Sequence, residues 1–162
     1  RDSYHSVYAG LCAADGADYV LIHDGARPLV TYDIICRSME AVKEYHACVA
    51  GMPVKDTIKI ADEDGYASMT PERSKVWQIQ TPQSFSYPLI YEAYHKMLAN
   101  EDSAITDDAM VVERMTNQSV KLIEGSYSNI KITTPEDMLI AEMYLKHAFE
   151  NPQDEKNEKK LK

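Results

Sequence analysis

Three short apolar runs dictate what this chain can fold into: ADYVLIH from Ala17, ACVAGMPV from Ala47 and SVKLIEG from Ser119. Each has strand length and is bounded by turn residues. The first two read as parallel strands buried on both faces. The segments around them carry helical signals instead. Ser6 to Ala14 is amphipathic. Thr31 has the chemistry of an N-cap for a helix through about His46, with Ile34, Ile35, Met39 and Val42 on one face. A further helix follows Ser86, and a shorter one covers Asp107 to Met115, where Thr106 is placed to cap it. Thr134-Pro135-Glu136-Asp137 opens the last helix with a cap, a proline at the first helical position and acids in the first turn. Strands alternating with helices predict an α/β domain with a mostly parallel sheet, whose ligands sit beyond the carboxyl ends of the strands.

Between residues 55 and 80 the pattern changes. TIKIA alternates, DEDG is a turn, and YASMTPERSKVWQIQTP is mixed and polar, which predicts a β-arm projecting from the sheet. QTPQSF, just beyond, has the Pro, Ser and Gln of ordinary loops. NIKIT, from Asn129, reads as a short strand or an extended segment. From residue 150 the chain turns into a polar tail expected to be disordered, which leaves residues 1–149 as one domain.

At 162 residues the chain suits one domain with a sizeable core. Its formal net charge of -9 argues against coating nucleic acid or anionic membranes, which takes clustered Lys and Arg. A small anionic substrate is still allowed, because a few focused cations act locally. Three cysteines, Cys12, Cys36 and Cys48, are odd in number and form no CxxC pair, which fits a reduced, cytoplasmic setting.

The chemistry concentrates where the first strand runs out, in VLIHDGARPLV. Asp24 there either binds a divalent cation or caps the next loop; one carboxylate suits Mg²⁺, whose other ligands are waters and phosphates. Arg27 either meets a phosphate or pairs with Asp24. Gly25 and Pro28 mark a constrained turn. Lys131, inside NIKIT, either snorkels to solvent or aims a cation at phosphates beside Asp24. His46, His95 and His147 fall in helical stretches and read as structural. Zincin, CxxC and GxSxG patterns are absent from the sequence.

Taken together and in order, SVYAGL, VLIHDGARP, PVKDTIK, PERSKVWQIQTPQSF, ITDDA and NIKITTPED closely resemble the 2-C-methyl-D-erythritol 4-phosphate cytidylyltransferase family of the non-mevalonate isoprenoid pathway. The resemblance runs from Arg1 to about Lys146. It implies a Rossmann-like nucleotide-diphospho-sugar transferase fold and a reaction in which the phosphate of methylerythritol phosphate attacks the α-phosphorus of CTP and pyrophosphate leaves. By the same resemblance, Asp24 binds Mg²⁺ or another divalent cation. Asp24, Gly25 and Ser6 belong to the nucleotide side, with Ser6 at its cytidine end. Lys131 and Arg27 act as the catalytic cations. Thr81 and Thr106 line the substrate pocket. Thr57 and Arg73 sit on an arm that crosses to the partner of a homodimer. The implied partners are CTP and a sugar-alcohol phosphate, with no nucleic acid and no membrane.

Two departures from the family pattern stand out. Ser128 occupies a position where some relatives carry an acid, which leaves Asp24 without a second metal carboxylate. The family also opens with a strand and a Gly-rich basic loop that cradles the triphosphate, and nothing before Arg1 corresponds to them. The expectation is of a chain lacking roughly the first third of the catalytic domain. Ribitol-5-phosphate cytidylyltransferases share the HD, QTPQSF and NIKIT elements and remain an alternative. So does an inactive substrate-binding or dimerisation fragment. The long arm after VKDTIK and the returning PERSKVW favour the methylerythritol branch.

Overall fold

The computed structural model describes residues 2–100 and 105–150; the polar tail beyond residue 150 lies outside the described residues. Helix α1 (Asp2–Ala13) leads to strand β1 (Tyr19–Ile22), helix α2 (Tyr32–Tyr45) and strand β2 (Ala47–Pro53). The projecting strands β3 (Ile60–Ala61) and β4 (Ala67–Met69) follow, then a 3₁₀ turn at Arg73–Lys75 and strand β5 (Trp77–Ser86). Helix α3 (Tyr87–Asn100), helix α4 (Asp108–Met115), strand β6 (Lys121–Glu124) and helix α5 (Pro135–Glu150) complete the fold.

The central sheet has the order β1-β5-β2-β6. β1, β2 and β6 point the same way, as an alternating α/β sequence requires. β5 lies between β1 and β2 and runs opposite to both, so only β2–β6 is a parallel pair. The sheet is therefore mixed in its pairing.

β5 was concealed in the sequence. Gln78, Gln80, Gln83 and Ser84 give it the composition of a loop, and Pro82 argues against an inner strand. The proline is tolerated because the ladder to β2 is irregular there, shifting between Val49 and Gly51. The glutamines are tolerated because their amides are bonded: Gln83 donates to Asp107 Oδ2 (3.0 Å) and accepts from Ala109 N–H (2.9 Å). The arm accordingly ends before Trp77, and Trp77 to Gln80 belong to the sheet rather than to the arm.

Alternation along β2 divides the core into two layers. Ala47 and Val49 join Leu11, Phe85, Ile90, Tyr94, Val111 and Val112 in a buried cluster under α1, α3 and α4. On the other face Cys48 packs on α2, its Sγ donating to Ser38 O, and Ile34, Ser38 and Val42 are the buried positions of that helix. Ile35, expected on the same face, is exposed. β1, expected to be buried on both faces, is half-buried along its whole length. At Gly51 the strands approach so closely that a Cβ would stand 2.9 Å from the Gln78 carbonyl oxygen.

The helix ends follow their sequence signals, with one change. Thr31 Oγ1 accepts from Ile34 N–H, and His46 closes α2 in the left-handed region at φ 64°. α4 is capped by Asp107, whose carboxylate accepts from Met110 N–H, and not by Thr106. A carboxylate is the stronger acceptor, and at this position it also meets the helix dipole. At α5, Asp137 reaches back to the N–H groups of Thr133 and Thr134, the reciprocal half of a capping box.

Candidate active site

The chain leaves β1 at Ile22 and turns sharply through residues 23 to 27. Asp24 builds the turn itself: its Oδ1 accepts from Ala26 N–H (3.1 Å) and its carbonyl accepts from Arg27 N–H (2.9 Å). That leaves Oδ2 free to face outward, where Lys131 Nζ stands 2.7 Å away. The loop cap posed by the sequence is thus realised in one oxygen of this side chain, while the other pairs with Lys131. One carboxylate oxygen caps the loop and the other presents charge.

Lys131 arrives through the 129–133 segment, which joins no ladder. Ile132 N–H donates to Ala26 O (2.8 Å), lacing this segment to the Asp24 turn. Arg27 does not use Asp24 as its hydrogen-bond partner; its Nη1 donates to the Asn129 carbonyl (2.7 Å). Two cations, on separate segments, are thereby held around one carboxylate. The Lys131 hydrogen bond holds the Asp24 carboxyl below the usual carboxylate range, against the opposing effect of burial. Burial lowers the pKa of Arg27, with Asp24 opposing the shift, and a guanidinium so placed stays charged.

Thr81 enters from β5. Its Oγ1 accepts from Asp24 N–H (3.0 Å) and bonds His23 Nδ1 (2.9 Å), while His23 Nε2 lies 3.0 Å from Arg27 O. Gln83, opposite Ile22 in the register, holds the start of α4 and so brings Thr106 to the same end of the sheet. Thr106 Oγ1 lies 3.8 Å from Met110 Sδ and is exposed. Ser6 is exposed on α1, two residues beyond Tyr4, whose hydroxyl donates to Ile105 O. Ser128 bonds Ser126 rather than Asp24.

The structure therefore brings Asp24, Gly25, Arg27, Thr81 and Lys131 together, with Thr106 on the same rim. Among the described residues no contact joins Thr57 or Arg73 to this cluster. Both lie on the arm, where Arg73 Nη1 donates to Lys55 O (3.2 Å) and Lys55 Nζ lies 3.8 Å over the Tyr127 ring. His23, which with Asp24 was expected at the functional edge of the sheet, belongs to the site's framework, as do Gln80 and Asn129, which were not singled out from the sequence. The available signal was a set of polar residues with strand spacing, Gln78, Gln80 and Ser84, too many for a solvated loop beside Phe85.

Asp24 offers hard oxygen, and among the described residues no group of three or more His, Cys, Asp or Glu could hold a metal ion. This donor set fits a cation that takes its remaining ligands from phosphates and water, and does not fit structural zinc.

A profile of the 2-C-methyl-D-erythritol 4-phosphate cytidylyltransferase family matches residues 1–147. The chain belongs to that family. Among curated cytidylyltransferases of this name, that of Lachnospira eligens is 53% identical over 147 residues, covering 90% of this chain and 65% of the relative. That of Alkaliphilus oremlandii is 54% identical over 142 residues, covering 87% of this chain and 59% of the relative. The chain thus spans about three fifths to two thirds of their length. Its backbone is similar to the 4-diphosphocytidyl-2C-methyl-D-erythritol synthase of Anaerococcus prevotii, with TM-score 0.85, 40% identity and coverage of 90% of this chain and 65% of the other. The cytidylyltransferase of Thermus thermophilus gives TM-score 0.77 at 34% identity, over 87% of this chain and 68% of the other. The fold is therefore the Rossmann-like nucleotidyltransferase fold of this family. Among the described residues no helix is long and apolar enough to cross a membrane.

One half-buried acidic residue, Asp108, stands between the site and the core. Asp108 accepts from the buried Tyr94 hydroxyl, and burial raises its pKa, with the neighbouring charge of Asp107 adding to the shift. A carboxyl whose pKa is raised on folding contributes stability fully below its unfolded value, near pH 4, and loses it as pH rises through the folded value. Asp108→Asn keeps an acceptor for Tyr94 and removes the charge. Melting curves of the variant and the parent chain from pH 4 to 8 should show the variant gaining steadily in relative stability. A constant difference across that range would mean that Asp108 is not strained by burial.

Proposed function

We propose that the protein carrying this chain transfers the cytidylyl group of CTP to 2-C-methyl-D-erythritol 4-phosphate and releases pyrophosphate. The observation that carries this reading is the strand-end cluster, one carboxylate between two cations, in a chain of this family. A phosphate oxygen of the acceptor attacks the α-phosphorus as the bond to the pyrophosphate oxygen breaks. Negative charge grows on the oxygens around that phosphorus, and preorganised cations lower the barrier most where charge develops. The nearness of Lys131 and Arg27 to Asp24 supports this role for them. Arg27 is tied to the Asn129 carbonyl, so little reorganisation of it is needed at the moment of reaction.

Asp24 would hold Mg²⁺ through Oδ2, and the ion when bound would neutralise phosphate charge and orient the leaving group. Lys131 occupies the same oxygen, so the lysine and the cation must share it or the lysine must move to the phosphates. Gly25 leaves the backbone of the turn open to the nucleotide, Thr106 would meet the acceptor, and Ser6, exposed on α1, would meet the cytidine end.

The arm supports a homodimer. Ile58, Ile60, Tyr66 and Met69 expose apolar surface on a ribbon of two short strands. Such a ribbon is marginal alone and gains stability when a partner covers it. Thr57 and Arg73 would then complete the partner's site. Three free cysteines and small soluble substrates support a cytoplasmic setting for the enzyme.

The test is pyrophosphate release by the full-length protein with CTP and either methylerythritol phosphate or ribitol 5-phosphate. Turnover with the first and little with the second is expected. Preference for ribitol phosphate would transfer the assignment to the sibling enzymes. Release with neither would overturn the proposed activity.

A further inference from the structure

Arg27 and Lys131 sit on different segments, and something must keep them in register with Asp24. The candidate lies beneath them, in two buried amides. Asn129 is fully buried, and Gln80 is nearly so. Asn129 Nδ2 donates to the Thr81 carbonyl (2.8 Å) and to Gln80 Oε1 (3.3 Å). Gln80 Oε1 also accepts from Ser126 N–H (3.3 Å), and Gln80 Nε2 donates to Ser126 O (2.7 Å). The loop closes on itself when Asn129 N–H donates to the same Ser126 carbonyl (3.1 Å). Residues 126 to 129 are thus bolted to the central strand β5 from inside the protein.

Both cations depend on that bolt. The carbonyl that receives Arg27 Nη1 is that of Asn129 itself. Lys131 follows two residues later, on the stretch whose Ile132 N–H reaches Ala26 O. Thr81, whose carbonyl receives the Asn129 amide, carries the hydroxyl that receives Asp24 N–H. An independent observation comes from Gly125. A Cβ there would collide with Gln80 Oε1, so the chain leaves out a side chain where the amide must reach the loop.

We propose that Gln80 and Asn129 are positioning residues for cytidylyl transfer, acting together as a buried amide bolt that sets where Arg27 and Lys131 stand relative to Asp24. Their side chains are buried against β5 and the 126–129 loop. Their contribution is geometric, and positioned electrostatic groups lose effect over displacements of about an ångström. A buried amide pair has the rigidity for this, because each unmade bond leaves a polar group with no water to replace the lost partner. The inference rests on the proposed function for its kinetic consequence and on the geometry alone for its structural one.

The experiment uses Gln80→Met and Asn129→Leu, which keep shape and remove the amides, beside Ile90→Ala, a core control in α3 remote from the site. In the full-length protein each amide variant should lower kcat about ten-fold or more while KM for CTP moves less than about three-fold, the mark of an interaction realised in the transition state. The pair combined should cost little more than either alone, because the bolt works as a unit. In native-state hydrogen exchange the Ile132 amide should exchange faster in both variants, beyond any change in the amides of α3. Ile90→Ala should lower stability without changing kcat or singling out Ile132. Should either isostere fail to fold, Gln80→Asn, which only shortens the reach of the amide, carries the same expectations. Variants that lose stability like the control, with kcat and Ile132 exchange unaltered, would overturn the bolt. Failure of the parent enzyme to release pyrophosphate would instead count against the proposed function and leave the exchange result to decide the bolt.

Discussion

Asp24→Asn and Lys131→Ala, each in the full-length protein, are expected to lower cytidylyl turnover by about two orders of magnitude or more, the usual cost of removing a preorganised charge from a transition state. The fold should survive both changes. The pair is partly exposed, with side chains 26% and 49% accessible, so the ion pair contributes at most about 1 kcal/mol to stability. Asn keeps an oxygen for Ala26 N–H, so the turn should hold while the outward charge is lost. Circular dichroism and melting curves report the fold, and pyrophosphate release reports the chemistry. Two variants with near-parental turnover would reduce the cluster to a loop cap and a snorkelling lysine.

Activity should also return when two dead proteins are mixed. Thr57 and Arg73 stand on the arm, while Asp24 and Lys131 stand at the end of β1 and on the 129–133 segment. If the arm crosses to a two-fold partner, each site draws Arg73 from one chain and Asp24 from the other. Full-length Asp24→Asn and Arg73→Ala proteins, each inactive, are refolded together in equal amounts. Half the dimers are then mixed, and each mixed dimer holds one intact site and one doubly damaged site, so about a quarter of parental activity should appear. If both residues served one site from one chain, every site would carry a lesion and none would recover. A silent mixture that contains mixed dimers, verified with distinguishable tags, would end the crossed-arm proposal.

Local chemistry made some features of this molecule legible in the sequence. ACVAGMPV is apolar at every position that must be buried on either face, and it forms β2. Thr31 and Thr134 mark helix starts because their hydroxyls or neighbouring acids meet free N–H groups within three residues. The arm was visible because DEDG can only turn: Asp62 Oδ1 accepts from Asp64 and Tyr66 N–H, with Gly65 at φ 85°. The candidate residues at the end of β1 were visible because polar groups crowd the place where an apolar run stops.

Tertiary structure alone decided the rest. β5 is a central strand in which seven of ten residues are glutamine, threonine, proline or serine, and its polar side chains are held by partners 24 to 49 residues away in sequence, Asp107, Ala109, Ser126 and Asn129. Propensity is local and has no knowledge of those bonds. Lys131 and Asp24 lie 2.7 Å apart across more than a hundred residues, a meeting that no local pattern could show. A sequence shows which side chains are able to bond. Only the packed chain settles which of them meet, because a buried amide is stable in a strand when its partners arrive from elsewhere and costly there when they do not.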